Sequence, residues 1–176
     1  MRRLFSLLIL LLVGQPASAT EFDADLYRDK RIGLKFTAPP DWLISRQTGF
    51  PEIIVLLTTK ADRQAQLSVA LDAVDLKTPL RKLVAQNNAA MRAVGIGIKS
   101  SGPAQRLGRR VWRTVAQARR RGKPAMAIEQ LYLRSNERVF ILTLSCPARA
   151  LKQHLLALDS LLDSVELSPP KSPASR

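Results

Sequence analysis

"RRVWRTVAQARRRGKPAMAIEQLYLRSNERVFILTLSC", residues 109–146, holds three apolar-rich runs separated by two turn-forming stretches. Residues 110–119, 125–134 and 138–146 each carry β-branched and large apolar side chains, and "RRGKP" and "SNE" interrupt them. That spacing predicts three sequential strands in an antiparallel meander. In the last run Phe140, Leu142, Leu144 and Cys146 fall on one face, while Val139 and Ile141 are apolar on the other. A strand that is apolar on both sides must be covered on both sides, so helices are expected above and below the sheet.

Upstream, residues 53–58 form a continuous apolar run, as in an interior strand. Residues 67–74 alternate, with Leu67, Val69, Leu71 and Ala73 on one side. Residues 32–37 and 42–46 read as two short strands of a first hairpin, joined by "APPD", where a proline pair fits a turn and cannot lie inside a ladder. Then the period changes. Thr78 and Pro79 suit an N-cap and a first helical position, Leu80, Leu83, Val84, Met91 and Val94 recur at helical spacing, and Gly95 ends the run. Residues 96–107, broken by glycine and serine, read as a connection with one short strand. Pro147 opens a second helix with a stripe of Leu151, Leu155, Leu158 and Leu162, and residues 164–167 close the domain. The expectation is a signal segment over residues 1–19, a single α+β domain over 20–167 and a Pro/Ser-rich tail over 168–176.

The order Tyr27, Gly33, Phe36, Pro40, Trp42 follows a "Y…G-h-x-F…P-x-x-W" pattern. With the middle helix, the meander, the closing helix and a final "DSVEL", the chain resembles the PsbP-like superfamily, which includes PsbP, Ran-binding Mog and bacterial DcrB-like proteins. The resemblance implies an α/β/α sandwich on an antiparallel sheet, and a role in binding other proteins rather than in catalysis. Trp42, just past the proline turn with no second aromatic beside it, reads as a cap on one end of the core rather than a stacking platform.

Arg2 and Arg3, the apolar stretch of residues 4–13 and Ala17-Ser18-Ala19 have the layout of a Sec-type signal peptide cleaved after Ala19. No cysteine follows the cleavage site, so a lipoprotein anchor is not expected, and nothing later is long and apolar enough to span a bilayer. The mature chain is therefore expected in the periplasm or outside the cell, without a transmembrane segment. It carries Cys146 as its single cysteine, so no internal disulfide can form, and a lone thiol on an apolar face is expected to be buried and inert.

Removing Arg2 and Arg3 from the 28 basic residues leaves 26 against 14 acidic ones, a mature net charge of +12. Residues 76–128 contain 13 basic residues and no acidic one, which accounts for the whole excess. Aromatics are only 5% of the chain, and the basic stretch has just Trp112 to stack on a base, so nucleic acid is not an expected partner. One histidine and one cysteine cannot make a zinc site, and "EFDAD" (Glu21, Asp23, Asp25) lacks the glycine and distal glutamate of a calcium loop. Cys146 and His154 stand eight residues apart, across a strand end and about two helical turns, which is wrong for a nucleophile and its base. Glu129 has no carboxylate partner nearby in sequence for acid–base work. No catalytic residue, cofactor or metal is expected.

The remaining feature is the arginine-rich hairpin. Arg106, Arg109, Arg110 and Arg113 enter one strand, and Arg119, Arg120, Arg121 and Lys123 crowd its exit. Arg109 and Arg113 share a face and Arg110 points the other way. One reading is an anion-facing contact surface for an envelope protein or an anionic envelope surface. The plainer reading is a solvated edge, where cations at hairpin ends deter edge pairing. The sequence thus points to an exported, non-enzymatic binding or assembly factor, with a small hydrolase or transferase of unrecognised active site as the alternative.

Overall fold

The computed structural model describes residues 20–21, 25–29, 32–46, 53–61, 63–74, 77–119, 121–135 and 138–168. The expected signal segment, residues 1–19, and the expected tail beyond Ser168 lie outside the described residues. The chain forms β1 (Thr20–Glu21), β2 (Leu26–Asp29), β3 (Leu34–Thr37), β4 (Trp42–Arg46), β5 (Ile53–Thr59), β6 (Gln66–Ala73) and helix α1 (Leu80–Ala93). There follow β7 (Ile96–Arg106), β8 (Arg109–Ala118), β9 (Met126–Ser135), β10 (Arg138–Pro147), a short 3-10 turn (Ala148–Ala150), α2 (Leu151–Ser164) and β11 (Glu166–Leu167).

The meander is present, and it is longer than expected. An eight-stranded antiparallel sheet runs in the order β1-β4-β5-β6-β10-β9-β8-β7, so β10 is interior. Its Val139, Phe140, Ile141 and Leu142 are all buried, two to each face. The "connection" at 96–107 is the eleven-residue strand β7, paired with β8 along its whole length. An edge strand needs only one of its two hydrogen-bonding sides, so Pro103 and a register shift between Ile98 and Ser100 are tolerated there. Leu107 and Gly108, with φ of 50° and 73°, make the two-residue turn into β8.

The expected first hairpin is also absent. β3 pairs with β2 and β11 in a separate three-stranded sheet, whereas β4 pairs with β1 and β5. Pro39 and Pro40 remove two backbone donors where a hairpin ladder would begin, and Asp41 turns the chain at a φ of 65°. The proline corner therefore carries the chain from one sheet to the other.

Three layers result. On one face of the large sheet lies α1, whose buried positions are Leu83, Val84, Asn87, Asn88 and Met91, packed with Tyr132, Val139 and Ile141. Helix α1 begins at Leu80 with Pro79 at the cap position and no side-chain cap, so Thr78 does not perform the capping expected of it. On the other face α2 and the small sheet cover Val55, Leu57, Leu67, Val69, Phe140, Leu142, Leu144 and Cys146. Tyr27 and Phe36 stack there at 5.0 Å between ring centroids, and Trp42 is 4% exposed, as the core-cap reading requires.

Candidate functional site

The structure divides the arginines of the candidate surface into two groups. Arg106, Arg109 and Arg113 lie on the face of the sheet that α2 covers, because their positions in β7 and β8 share one parity. There Glu129, fully buried in β9, is the anchor. Strand register sets Val115 opposite Glu129, so Arg113 lies one diagonal step away and reaches it as a fork. Its Nε donates to Oε1 at 2.9 Å and its Nη2 to Oε2 at 2.8 Å. Arg106 donates from Nη1 to Glu129 Oε1 and from Nε to Asp159 Oδ1 on α2. Arg109 donates from Nη2 to the backbone carbonyl of Val165 at 2.7 Å.

The electrostatics follow from this arrangement. The hydrogen bonds from Arg113 to Glu129 hold its guanidinium above its ordinary range, against some opposing burial. Burial pulls on Arg106 in the other direction, yet its bonds to Asp159 and Glu129 prevail and its affinity for the proton also rises. Two guanidinium groups and two carboxylates thus form a charge-neutral clamp that ties β7, β8 and β9 to α2. Glu129, which sequence reasoning set aside for want of a nearby carboxylate, has cationic partners 16 and 23 residues away in sequence.

Arg110, Arg119, Arg121 and Lys123 are exposed, and no ion pair involves them among the described residues. Arg120 lies outside the described residues. The hairpin is therefore neither a single cationic stripe nor a single solvated edge. Arg106, Arg109 and Arg113 are tied into the fold, and Arg110 and the described cations at the β8–β9 turn face outward.

The other face of the sheet holds a buried polar seam. Asn87 Nδ2 donates to Gln130 Oε1 at 2.9 Å and also contacts the Tyr132 hydroxyl, which itself donates to Gln130 Oε1 at 2.7 Å. Gln130 Nε2 continues to Thr143 Oγ1 at 3.3 Å. Beside it, Asn88 Nδ2 and Trp112 Nε1 both donate to Ser101 Oγ at 3.0 Å, and Ser101 meets Thr114 at 2.9 Å. Asn88 Oδ1 is buried without a partner. Burial pushes the Tyr132 phenol well above its usual range, which keeps it a neutral donor. These residues are amides and hydroxyls with no base among them, and they serve to register α1 on the sheet.

Cys146 is fully buried, and burial pushes its thiol up to about 11. His154, in the first turns of α2, lies edge-on to Trp42 at 5.8 Å between ring centroids. The thiol and the imidazole are each spent on core packing. Among the described residues no cluster of three histidine, cysteine or carboxylate side chains could hold a metal, and no helix is long and apolar enough to cross a membrane.

No protein-family model matches the sequence, and no curated relative does either. Solved structures do. The chain is similar to cyanobacterial PsbP (CyanoP) from Synechocystis sp. PCC 6803, with a TM-score of 0.61 at 14% identity, over 89% of this chain and 99% of that one. It is also similar to LpqN, involved in cell envelope biogenesis of Mycobacterium tuberculosis, with a TM-score of 0.56 at 16% identity, over 89% and 87% of the two chains. A protein of unknown function from Pseudomonas aeruginosa aligns with a TM-score of 0.52 at 16% identity, over 82% and 96%.

Proposed function

We infer that the chain has the fold of the PsbP-like proteins, the resemblance carried by the order of Tyr27, Gly33, Phe36, Pro40 and Trp42. From that premise we propose that the protein is exported, has no catalytic activity and acts in the cell envelope as a binding or assembly factor. Its contact surface is cationic and includes Arg110, Arg119, Arg120, Arg121 and Lys123. The observation that carries this reading is the division of the arginines. Arg106 and Arg113 are neutralised by Glu129 and Asp159 and Arg109 is held by the Val165 carbonyl, whereas Arg110, Arg119, Arg121 and Lys123 face solvent with no ion pair among the described residues. A charge that stabilises nothing inside the molecule is available for a partner, and the long-range field of such a cluster speeds encounter with an anionic surface. The envelope role of LpqN on the same fold supports the compartment.

The reading is tested by capture on the immobilised protein from membrane and periplasmic fractions at low and high salt. A bound component that survives washing at low salt and leaves at high salt is expected, and Arg119→Glu with Arg121→Glu should abolish capture without loss of helical signal. Capture that is unchanged by this charge reversal would falsify the assignment.

A further inference from the structure

The register of the strands places the unpaired cations of four separate connections at one end of the large sheet. Gln66 pairs with both Ser145 and Thr58, so the β5–β6 turn, with Lys60 and Arg63, stands beside the end of β10. Pro147 pairs with Met126, and the Ala148 amide donates to the Ala125 carbonyl at 2.8 Å. That contact joins Arg149 to the β8–β9 turn, with its Arg119, Arg121 and Lys123. Ile96 pairs with Ala118, which brings in Arg92, at the last turn of α1, and Val94. All seven basic side chains are exposed, and none has an ion pair among the described residues. Among the described residues, Asp41, next to Lys60, is a carboxylate that the register sets beside them, and the sequence adds Asp62 between Lys60 and Arg63.

The opposite end of the sheet is different in kind. There Arg134 donates to the Thr78 carbonyl, Arg138 to the Ile32 carbonyl, Arg109 to the Val165 carbonyl and Arg106 to two carboxylates. Those four arginines are struts, although Arg110, Arg81 and Lys82 near that end are exposed; the seven cations at the β8–β9 end have no ion pair among the described residues.

We propose that the β8–β9 end of the sheet is a docking face for an anionic phospholipid surface. This rests on the reading of the protein as an envelope binding factor and names the partner of the part of that surface that lies at the β8–β9 turn. From β5 to β7 the end spans five strand spacings, about 24 Å at ~4.8 Å each, and its cations sit in the connections, with Arg92 in the last turn of α1 and Arg149 in the 3-10 turn. Spread over that width, they do not converge on one point, as a pocket for a small anion requires. A broad array of long, exposed cationic side chains matches a plane of headgroups, where each contributes independently and salt screens all of them. Val94, 45% exposed within the array, offers an apolar contact at the same level.

The test is co-sedimentation of the purified chain with phosphatidylglycerol–phosphatidylcholine vesicles, against vesicles of phosphatidylcholine alone. Each cation at such a surface is worth about fivefold in partitioning. The variant R119Q/R121Q/K123Q should therefore bind the anionic vesicles about a hundredfold more weakly. R28Q/R81Q/K82Q, which removes as much charge away from this end, should change binding by no more than about threefold. Circular dichroism establishes that both variants are folded. Equal losses in the two variants, equal binding to the two vesicle types or insensitivity to salt overturns the proposal. If membrane-fraction capture persists while vesicles are not bound, the envelope partner is an anionic protein or polymer; the lipid assignment then falls and the broader reading stands.

Discussion

Replacing Glu129 by Gln keeps the volume of the side chain and removes its charge. Glu129 is fully buried and holds Arg113 at 2.8 and 2.9 Å while also bonding Arg106. Removing one member of a buried ion pair typically costs 3–5 kcal/mol, because a charge is left without compensation. Two features reduce that here. The Arg113 side chain is 40% exposed and can rehydrate, and Arg106 keeps Asp159 as a partner. The amide also turns an N–H₂ toward a guanidinium that it cannot satisfy. The expected loss is about 2–3 kcal/mol, or about 5–10 °C in Tm for a domain of this size. Urea unfolding followed by circular dichroism measures the first and a thermal scan the second. Hydrogen exchange adds a directional readout, since α2 is tied to the sheet through Arg106 and should lose protection before β10 does. A stability within about 0.5 kcal/mol of wild type would show that the cluster is solvated and the clamp reasoning mistaken.

Cys146 should resist alkylation in the folded protein and react once it is unfolded. Its thiol pKa rises from 9.0 to about 11 on folding, so the folded state holds the proton more tightly. The resulting stabilisation is present below pH 9 and fades as pH climbs toward 11; a flat stability profile across that window refutes it. Asn87→Ala should cost about 1–3 kcal/mol, since it strips Gln130 and Tyr132 of a shared donor, whereas Asn88→Ala also deletes an unpartnered acceptor and should cost less. The reverse order in urea midpoints contradicts the seam. Leu107→Asn should stabilise by about 0.5–1 kcal/mol, because Leu107 sits at φ 50° in a two-residue turn that favours asparagine, and its side chain is already 52% exposed. A lower Tm than wild type rejects that account.

Much of the fold was legible, and the failures have a common cause. The meander, α1, α2 and the burial of Cys146 and Trp42 all follow from local periodicity. β7 is longer than the one short strand expected there, because Ser100, Ser101, Gly102 and Pro103 are poor strand formers that an edge position tolerates. The turn itself was readable, since Leu107-Gly108 between two arginine-bearing runs is a two-residue hairpin connection. The β3–β4 hairpin failed because no local signal tells a chain to change sheets. In the candidate site, outward cations and clamp arginines are identical as letters. What separates them is cross-strand register, which places Glu129 diagonal to Arg113. A lone buried-pattern glutamate among arginines of matching parity was the available clue.

The small sheet joins residues 131 positions apart in sequence, Lys35 and Glu166. β3 is closed on its second edge by β11, and the Ser164 hydroxyl donates to the Thr37 carbonyl across 127 positions of sequence. In a chain synthesised from its N-terminus, β3 waits with one bare edge until the final segment arrives. Contacts of such long range slow folding and leave an unpaired strand open to other chains in the interval. A nascent chain of this kind has reason to be accompanied, and truncation before Glu166 would leave the same edge open permanently.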